Sequence, residues 1–363
     1  MSSGLSPARF LLSFPAAGYY AVQKVREKAY GWGVLAQNGA PVPVISVGNL
    51  LLGGTGKTPF VIFIAEMLKN RTLKPAVVSR GYRGTSRAPY LVVGDGSSGE
   101  PLVDPDVCGD EPYLIAKRLT NVPVIVGRKR IYPVRAAHEL FGCNVVVLDD
   151  GFQHLPLKRD ADIVLMNGSE DHMFPWGRLR EPLSALRRAD IVMLMAGGTI
   201  PASAVDYVRG PVFNCHARPS GLASGANLQS LVPSEALSGR EVILASGIAN
   251  PERFRDTAEK MGWIVLDHYS FPDHHRFTDK ELRSILDRAA GMPVVVTEKD
   301  WVKLPAWFKE IDQVAALRIE MVLDDEEAFW AALASLVPAL SSRSQALPGN
   351  AGQEAPPPDL SVT

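Results

Sequence analysis

The sequence predicts an α/β protein, with a parallel sheet covered by helices on both faces and a second, smaller α/β unit toward the C-terminus. Three observations carry this. Short β-branched runs at 42–47, 75–79, 122–126, 145–148, 163–166 and 191–195 alternate with longer helical patterns, the order that builds a sheet covered on both sides. Between Gly197 and Gly239, Gly, Pro and Ser become frequent and only Val212 and Phe213 make a short apolar stretch, which reads as a linker. A second alternation begins at Glu241, with strand-like 242–245, 264–266, 294–296 and 315–319 and helix-like 251–261 and 278–290. The expected organisation is an N-terminal membrane-surface helix (1–30), a nucleotide-binding domain (31–207), a linker (208–240), a smaller α/β domain (241–340) and a disordered tail (341–363). The tail is rich in Ser, Gln, Pro and Gly and too poor in apolar residues to offset its ordering entropy.

With 363 residues and 46% hydrophobic content, the chain can bury a core of two ordinary domains. A formal net charge of -1 gives no global attraction to DNA or RNA, so nucleic acid is disfavoured and any anionic ligand must meet a local cluster of Lys and Arg. The three cysteines, Cys108, Cys143 and Cys215, fit neither a disulfide framework nor a zinc site and point to a reducing compartment. Near the N-terminus, Phe10 to Val22 is apolar except for Ser13, contains Pro15 and Gly18, and falls short of the ~20 residues of a spanning helix. No clear small-x-small cleavage site precedes Lys24, Arg26 and Lys28, which argues against a signal peptide. Two readings stand: an interfacial helix dipping Phe10, Leu11, Leu12, Phe14, Tyr19 and Tyr20 into lipid while Arg9, Lys24, Arg26 and Lys28 meet headgroups, or an ordinary core helix.

The chemistry begins at Leu51-Leu52-Gly53-Gly54-Thr55-Gly56-Lys57-Thr58. A strand-like run precedes it, and Phe60, Ile64 and Leu68 follow at helical spacing. Strand, glycine-rich loop and helix is the order of a P-loop NTPase-like ATP site. Glycines let backbone N–H groups turn toward phosphate, the helix N-terminus adds its dipole, Lys57 reaches the β- and γ-phosphates, and Thr58 places its hydroxyl on Mg²⁺. The usual motif starts with Gly six positions before the lysine, where this chain has Leu51. A chance glycine turn is therefore the competing reading, disfavoured by the elements on either side.

The run from Val145 to His154 delivers Asp149 and Asp150 at the C-terminal end of a buried strand, where ligands bind in parallel sheets. Adjacent carboxylates are unfavourable without a compensating cation or base, which favours an acid facing Mg²⁺ over two acids capping a turn. Three other motifs are weaker alone. Asp110 and Glu111 suit the first turn of a helix, and His274 and His275 precede a helix start where histidines are more often structural. Gly177-Arg178-Leu179-Arg180-Glu181-Pro182 is either a solvated loop or a phosphate-binding pair of arginines, and Arg80 and Arg83 add cations at the same sheet edge.

Taken in order, Gly48-Asn49-Leu50, Gly53 to Pro59, Ser79-Arg80-Gly81-Tyr82, Gly109 to Pro112, Asp149 to His154, Gly177 to Pro182, Phe271 to His275 and Thr297-Glu298-Lys299-Asp300 resemble the tetraacyldisaccharide 4'-kinase family of lipid A synthesis. The likeness runs from about Pro43 to Lys303, and that family's loop also lacks the first glycine. The resemblance implies transfer of the ATP γ-phosphate to the 4'-hydroxyl of an acylated glucosamine disaccharide 1-phosphate, by a peripheral protein at the cytoplasmic face of the inner membrane. It further implies Asp110 as base and His274 as its partner, with His275 as the rival position, and Lys57 and Arg180 as charge stabilisers. Mg²⁺ would be held by Thr58, with Glu111, Asp149, Asp150 and Glu181 as direct or water-mediated partners. Two competitors are a regulatory membrane-surface ATPase without kinase chemistry and a kinase or ligase for a small soluble metabolite. The sequence assigns no oligomeric state.

Overall fold

The structure, a computed structural model, describes residues 7–54, 56–168, 171–195, 197–225, 228 and 231–344. Thr55 and the expected tail from 345 onward lie outside the described residues. In chain order the strands are β1 (Val44–Asn49), β2 (Pro75–Ser79), β3 (Leu91–Gly94), β4 (Val124–Val126), β5 (Val145–Asp149), β6 (Ala161–Met166), β7 (Ile191–Met195), β8 (Val212–Ala223), β9 (Leu231–Val232), β10 (Glu241–Ser246), β11 (Ile264–Ser270), β12 (Val294–Thr297) and β13 (Val314–Leu323). All join one 13-stranded sheet, ordered β11-β10-β12-β13-β8-β7-β6-β1-β5-β2-β4-β3, with β9 paired to β8. Pairing is antiparallel at β3/β4, β8/β9 and β8/β13 and parallel elsewhere. Strands β1, β2, β5, β6 and β7 are buried along their whole length. Covered on both faces, they show continuous apolar runs instead of alternation.

The helices are α1 (Pro7–Gly31), α2 (Lys57–Asn70), α3 (Pro105–Cys108), α4 (Asp110–Arg118), α5 (Ile131–Phe141), α6 (Pro251–Lys260), α7 (Asp279–Ala289), α8 (Glu298–Trp301), α9 (Ala306–Lys309), α10 (Glu326–Leu336) and α11 (Ala339–Ser344). Among the described side chains of α1 only Ala16 is buried, while Tyr20, Val22 and Val25 are exposed, and the side chains of Phe10, Leu11, Leu12 and Phe14 lie outside the described residues. Contacts at one side tie α1 down: Arg26 donates to the Gln153 carbonyl and Glu27 pairs with Arg188. No described helix is long and apolar enough to cross a membrane.

Residues 208–240, expected as a linker, instead contain β8 and β9. The 12-residue β8 pairs in parallel with β7 and antiparallel with β13, so it stitches the two expected domains into one sheet. Its first half alternates, Phe213, Cys215 and Ala217 against exposed Asn214, His216 and Arg218, and Pro219 and Gly221 then flank a shift in register against β13.

Since β13 runs opposite to β8, the strands of the C-terminal half run opposite to those of the N-terminal half. Helix α2 lies between the halves, packing on β1, β2 and β5 and also on β13. One buried cluster accordingly extends from Ile45, Phe60 and Leu68 to Met321, Phe329 and Leu333. Phe60 and Phe329 meet edge to face with centroids 6.3 Å apart, a geometry aromatic quadrupoles favour. The shared core places the carboxyl ends of strands from both halves against a common cleft.

Candidate functional site

Residues following β1, β2 and β5 face residues following β10 and β12 across a cleft of about 540 Å³. Its floor is the glycine loop, where Gly53 and Gly56 have φ of 105 and 80, a region open to glycine at no steric cost. A Cβ on Gly56 would lie 2.7 Å from Met195 Cε. The chain then enters α2, whose first residues Lys57, Thr58 and Pro59 line the cleft. Unpaired N–H groups and the positive end of the helix dipole therefore face any anion held there.

Around this anion site the charges interlock. Lys57 Nζ lies 3.1 Å from Asn49 Oδ1 and 3.5 Å from Asp150 Oδ1. Arg180 donates to Asp150 Oδ2 at 2.8 Å and to Asn49 Oδ1 at 3.2 Å. Burial alone would raise the Asp150 carboxyl, but Lys57, Arg180 and Arg130 outweigh it and bring it down to about 2. Asp149 behaves in the opposite way: burial first, then the Glu111 and Asp150 charges, push it up to about 7.

The Ser79 hydroxyl donates to Asp149 Oδ2 at 2.8 Å, while Asp149 Oδ1 is buried without a hydrogen-bond partner. A buried carboxylate oxygen lacking a donor, with Glu111 and Thr58 lining the same cleft, suits a hard divalent cation that takes one or two carboxylates. Among the described residues no three His, Cys, Asp or Glu side chains form a metal cage.

Just behind the lining, Asp110, the first residue of α4, meets the cleft-lining His274 from the loop after β11: His274 Nδ1 lies 3.0 Å from Asp110 Oδ2. Burial raises the Asp110 carboxyl, yet the His274 hydrogen bond and the Lys303, His274 and Lys299 charges prevail and hold it below the usual aspartate value. His275 does not line the cleft; it pairs with Glu281 and stacks on Phe271. Asp150, His274 and the cleft-lining Arg83 all adopt left-handed backbone, with φ of 52, 64 and 64. Such conformations cost roughly 1–3 kcal/mol each and gather at functional sites.

Three expected positions fall outside the cleft lining: Asp110, which reaches it through His274, Glu181 and Leu51. Glu181 is buried and paired with Arg188, which also reaches Glu27 of α1 and lies over the Phe152 ring. Leu51 is buried and bridges to Leu179. Leu52, Gly53, Gly54, Gly56, Lys57, Thr58, Glu111, Asp149, Asp150 and Arg180 all line the cleft with His274. Sequence reasoning gave no function to Asn49, which ends a buried strand and accepts from both Lys57 and Arg180, or to Lys299, which faces His274. The signal for Asn49 was a lone amide closing an apolar run.

A family model described as tetraacyldisaccharide-1-P 4'-kinase matches residues 8–338. The tetraacyldisaccharide 4'-kinase of Anaeromyxobacter sp. (strain K) is 40% identical over 327 residues, covering 86% of this chain and 84% of that protein. Its counterpart from Syntrophus aciditrophicus (strain SB) is 37% identical over 348 residues, covering 89% and 92%. Among solved structures, LpxK from Aquifex aeolicus, crystallised in complex with ATP, matches with a TM-score of 0.75 at 33% identity, covering 91% of this chain and 99% of that one. The likeness spans both halves of the sheet and not merely a glycine loop that many unrelated proteins share, and so the chain belongs to the tetraacyldisaccharide-1-P 4'-kinase family.

Proposed function

We propose that this chain transfers the γ-phosphate of ATP to the 4'-hydroxyl of tetraacyldisaccharide 1-phosphate, with Asp110 as the base, at the cytoplasmic face of the inner membrane. The observation that carries this reading is the 3.0 Å contact between Asp110 and His274, the latter lining the same cleft as the N-terminus of α2. Asp110 takes the sugar proton, and His274 orients the carboxylate. Lys57 and Arg180 meet the charge on the transferring phosphoryl group, and Asp150, tied to both, sets their positions. Thr58, Asp149 and Glu111 would hold Mg²⁺, which neutralises phosphate charge and orients the β- and γ-oxygens when bound. Positioning and charge stabilisation supply most of the acceleration in such transfers, and a base adds ~10²- to 10⁴-fold.

Away from the charges the cleft turns apolar at Ile248, Phe254, Leu317 and Met321, a wall suited to a flat purine. Peripheral membrane docking is supported by the exposed apolar residues of α1, continued by Phe174, whose ring meets Tyr19 at 6.0 Å, and by Lys24 and Lys28 on the same helix. The deciding experiment incubates the protein with γ-labelled ATP, Mg²⁺ and the tetraacyl disaccharide monophosphate. A labelled bisphosphorylated lipid is expected. Asp110→Ala should lower kcat by ~10²- to 10⁴-fold with nucleotide binding intact. Absence of labelled lipid rejects the acceptor, and unchanged turnover in the variant rejects the base.

A further inference from the structure

We infer that Lys299 is a positioning residue for the acid–base pair, its ammonium holding His274 in the tautomer that donates Nδ1–H to Asp110. The inference rests on the Asp110–His274 reading above and adds a third member to it. Lys299 comes from Thr297-Glu298-Lys299-Asp300, a cleft-lining turn given no role in the reaction above.

That turn is fixed to both walls of the site. Asp300 is 0% exposed, accepts from the Gly247 N–H at 3.0 Å and the Thr297 hydroxyl at 2.6 Å, and pairs with Lys303 at 2.8 Å. Gly247 in turn accepts the His274 backbone N–H at 3.0 Å, so the turn and the histidine loop share an anchor. Glu298, also buried, accepts from Arg118 at 2.7 and 2.8 Å and from the Ile319 N–H at 3.2 Å. Arg118 is the last residue of α4, the helix that begins with Asp110. Lys299 is therefore presented from a rigid point, braced against the elements carrying both members of the pair.

Its Nζ lies 3.2 Å from His274 Nε2, 3.2 Å from Asp273 Oδ1 and 3.4 Å from Glu111 Oε1. An ammonium donates and cannot accept. Nε2 must then offer its lone pair, and the single proton of the neutral ring sits on Nδ1, aimed at Asp110 Oδ2. Burial pulls the Lys299 ammonium down, but Glu111 and Asp273 outweigh it and keep it above the ordinary lysine value, hence charged.

The groups facing the ring are Asp110 from α4, Lys299 from α8, Asp273 with Oδ2 3.8 Å from Nε2, and Tyr82 edge-on at 6.2 Å. Glu111 stands behind Lys299, and the Lys303 charge acts on Asp110. Lys299 thus holds the ring through Nε2 and turns Nδ1–H onto Asp110.

The test compares the full-length protein with Lys299→Met, Lys299→Gln and Lys299→Arg, using thermal melts to select folded variants. With ¹⁵N-labelled histidine, and the His274 signals assigned by Lys299-independent loss in His274→Gln, the wild-type ring should be the Nδ1–H tautomer at pH 7. In the uncharged variants the Nε2–H tautomer should appear beside it or in its place. kcat should fall by about 10-fold or more, with KM for ATP little changed. Lys299→Arg should restore the tautomer and kcat. An unchanged His274 tautomer in both uncharged variants overturns the inference. So does a raised KM for ATP with kcat unchanged, which would make Lys299 a phosphate ligand. Full turnover in Asp110→Asn would instead remove the base, while the nitrogen spectra would still report on Lys299.

Discussion

Asp149 and Asp150 are neighbours with the same chemistry and opposite electrostatics. Asp150 lies between Lys57 and Arg180, whereas Asp149 Oδ1 meets no donor and its nearest charges are other acids. With a folded value of about 7 against an ordinary value of 3.8, Asp149 keeps a proton in the folded protein that the unfolded chain has lost. Stability therefore falls as pH rises between these values and stays reduced above them. Asp149→Asn is expected to raise Tm at pH 8 and to leave it nearly unchanged at pH 4. Mg²⁺ should raise the wild-type Tm at pH 8 and not that of the variant. Calorimetry with and without Mg²⁺ checks both, and equal stabilisation at the two pH values would contradict the burial argument.

At the scale of elements, the joint between β1 and α2 depends on one backbone conformation. Gly56 has φ 80, and Met195 Cε occupies the place a Cβ would take. An alanine there must bear a left-handed backbone and a displaced methionine, costing about 1–2 kcal/mol. If that strain is relieved by shifting the loop away from the anion site, ATP affinity falls by roughly 10-fold, since 1.4 kcal/mol is a factor of ten. Isothermal titration of Gly56→Ala with ATP measures it; wild-type affinity would mean that the loop absorbs the change. The rest of this joint was legible early, because β1 and α2 carry continuous apolar and helical patterns. The β8 strand was not: Phe213, Cys215 and Ala217 alternate with exposed Asn214, His216 and Arg218, but the alternation is short and ends at Pro219 amid Gly, Pro and Ser.

Across the whole molecule, the two halves are held by the α2 core and by one buried ion pair, Arg118 with Glu298, whose side chains are 3% and 8% exposed. Burial pushes the Glu298 carboxyl up despite the guanidinium beside it. Removing one partner from such a pair leaves an uncompensated charge and costs about 3–5 kcal/mol, while replacing both with apolar groups is often neutral. Arg118→Met should therefore lower the guanidinium unfolding free energy by about 3–5 kcal/mol, and adding Glu298→Met should recover most of it. A double variant no more stable than the single would show that the pair contributes through something other than charge burial.

What the sequence determined by itself is local: the order of strands and helices, the glycine loop with Lys57 and Thr58, and the acids at the end of β5. Apolar runs, glycine spacing and residue type record these directly. It also carried Asp110 and His274 as ordered motifs, although each taken alone looked like a helix cap or a surface histidine. Only the folded chain decided that the described side chains of α1 are largely exposed, that residues 212–223 join both halves in one sheet, and that Glu181 turns to Arg188 and away from the cleft. It alone brought Asp110, His274 and Lys299 together. These depend on which partners meet, several of them more than 100 positions apart, which hydrophobic periodicity cannot encode because it reports only which face of an element is covered, not by what.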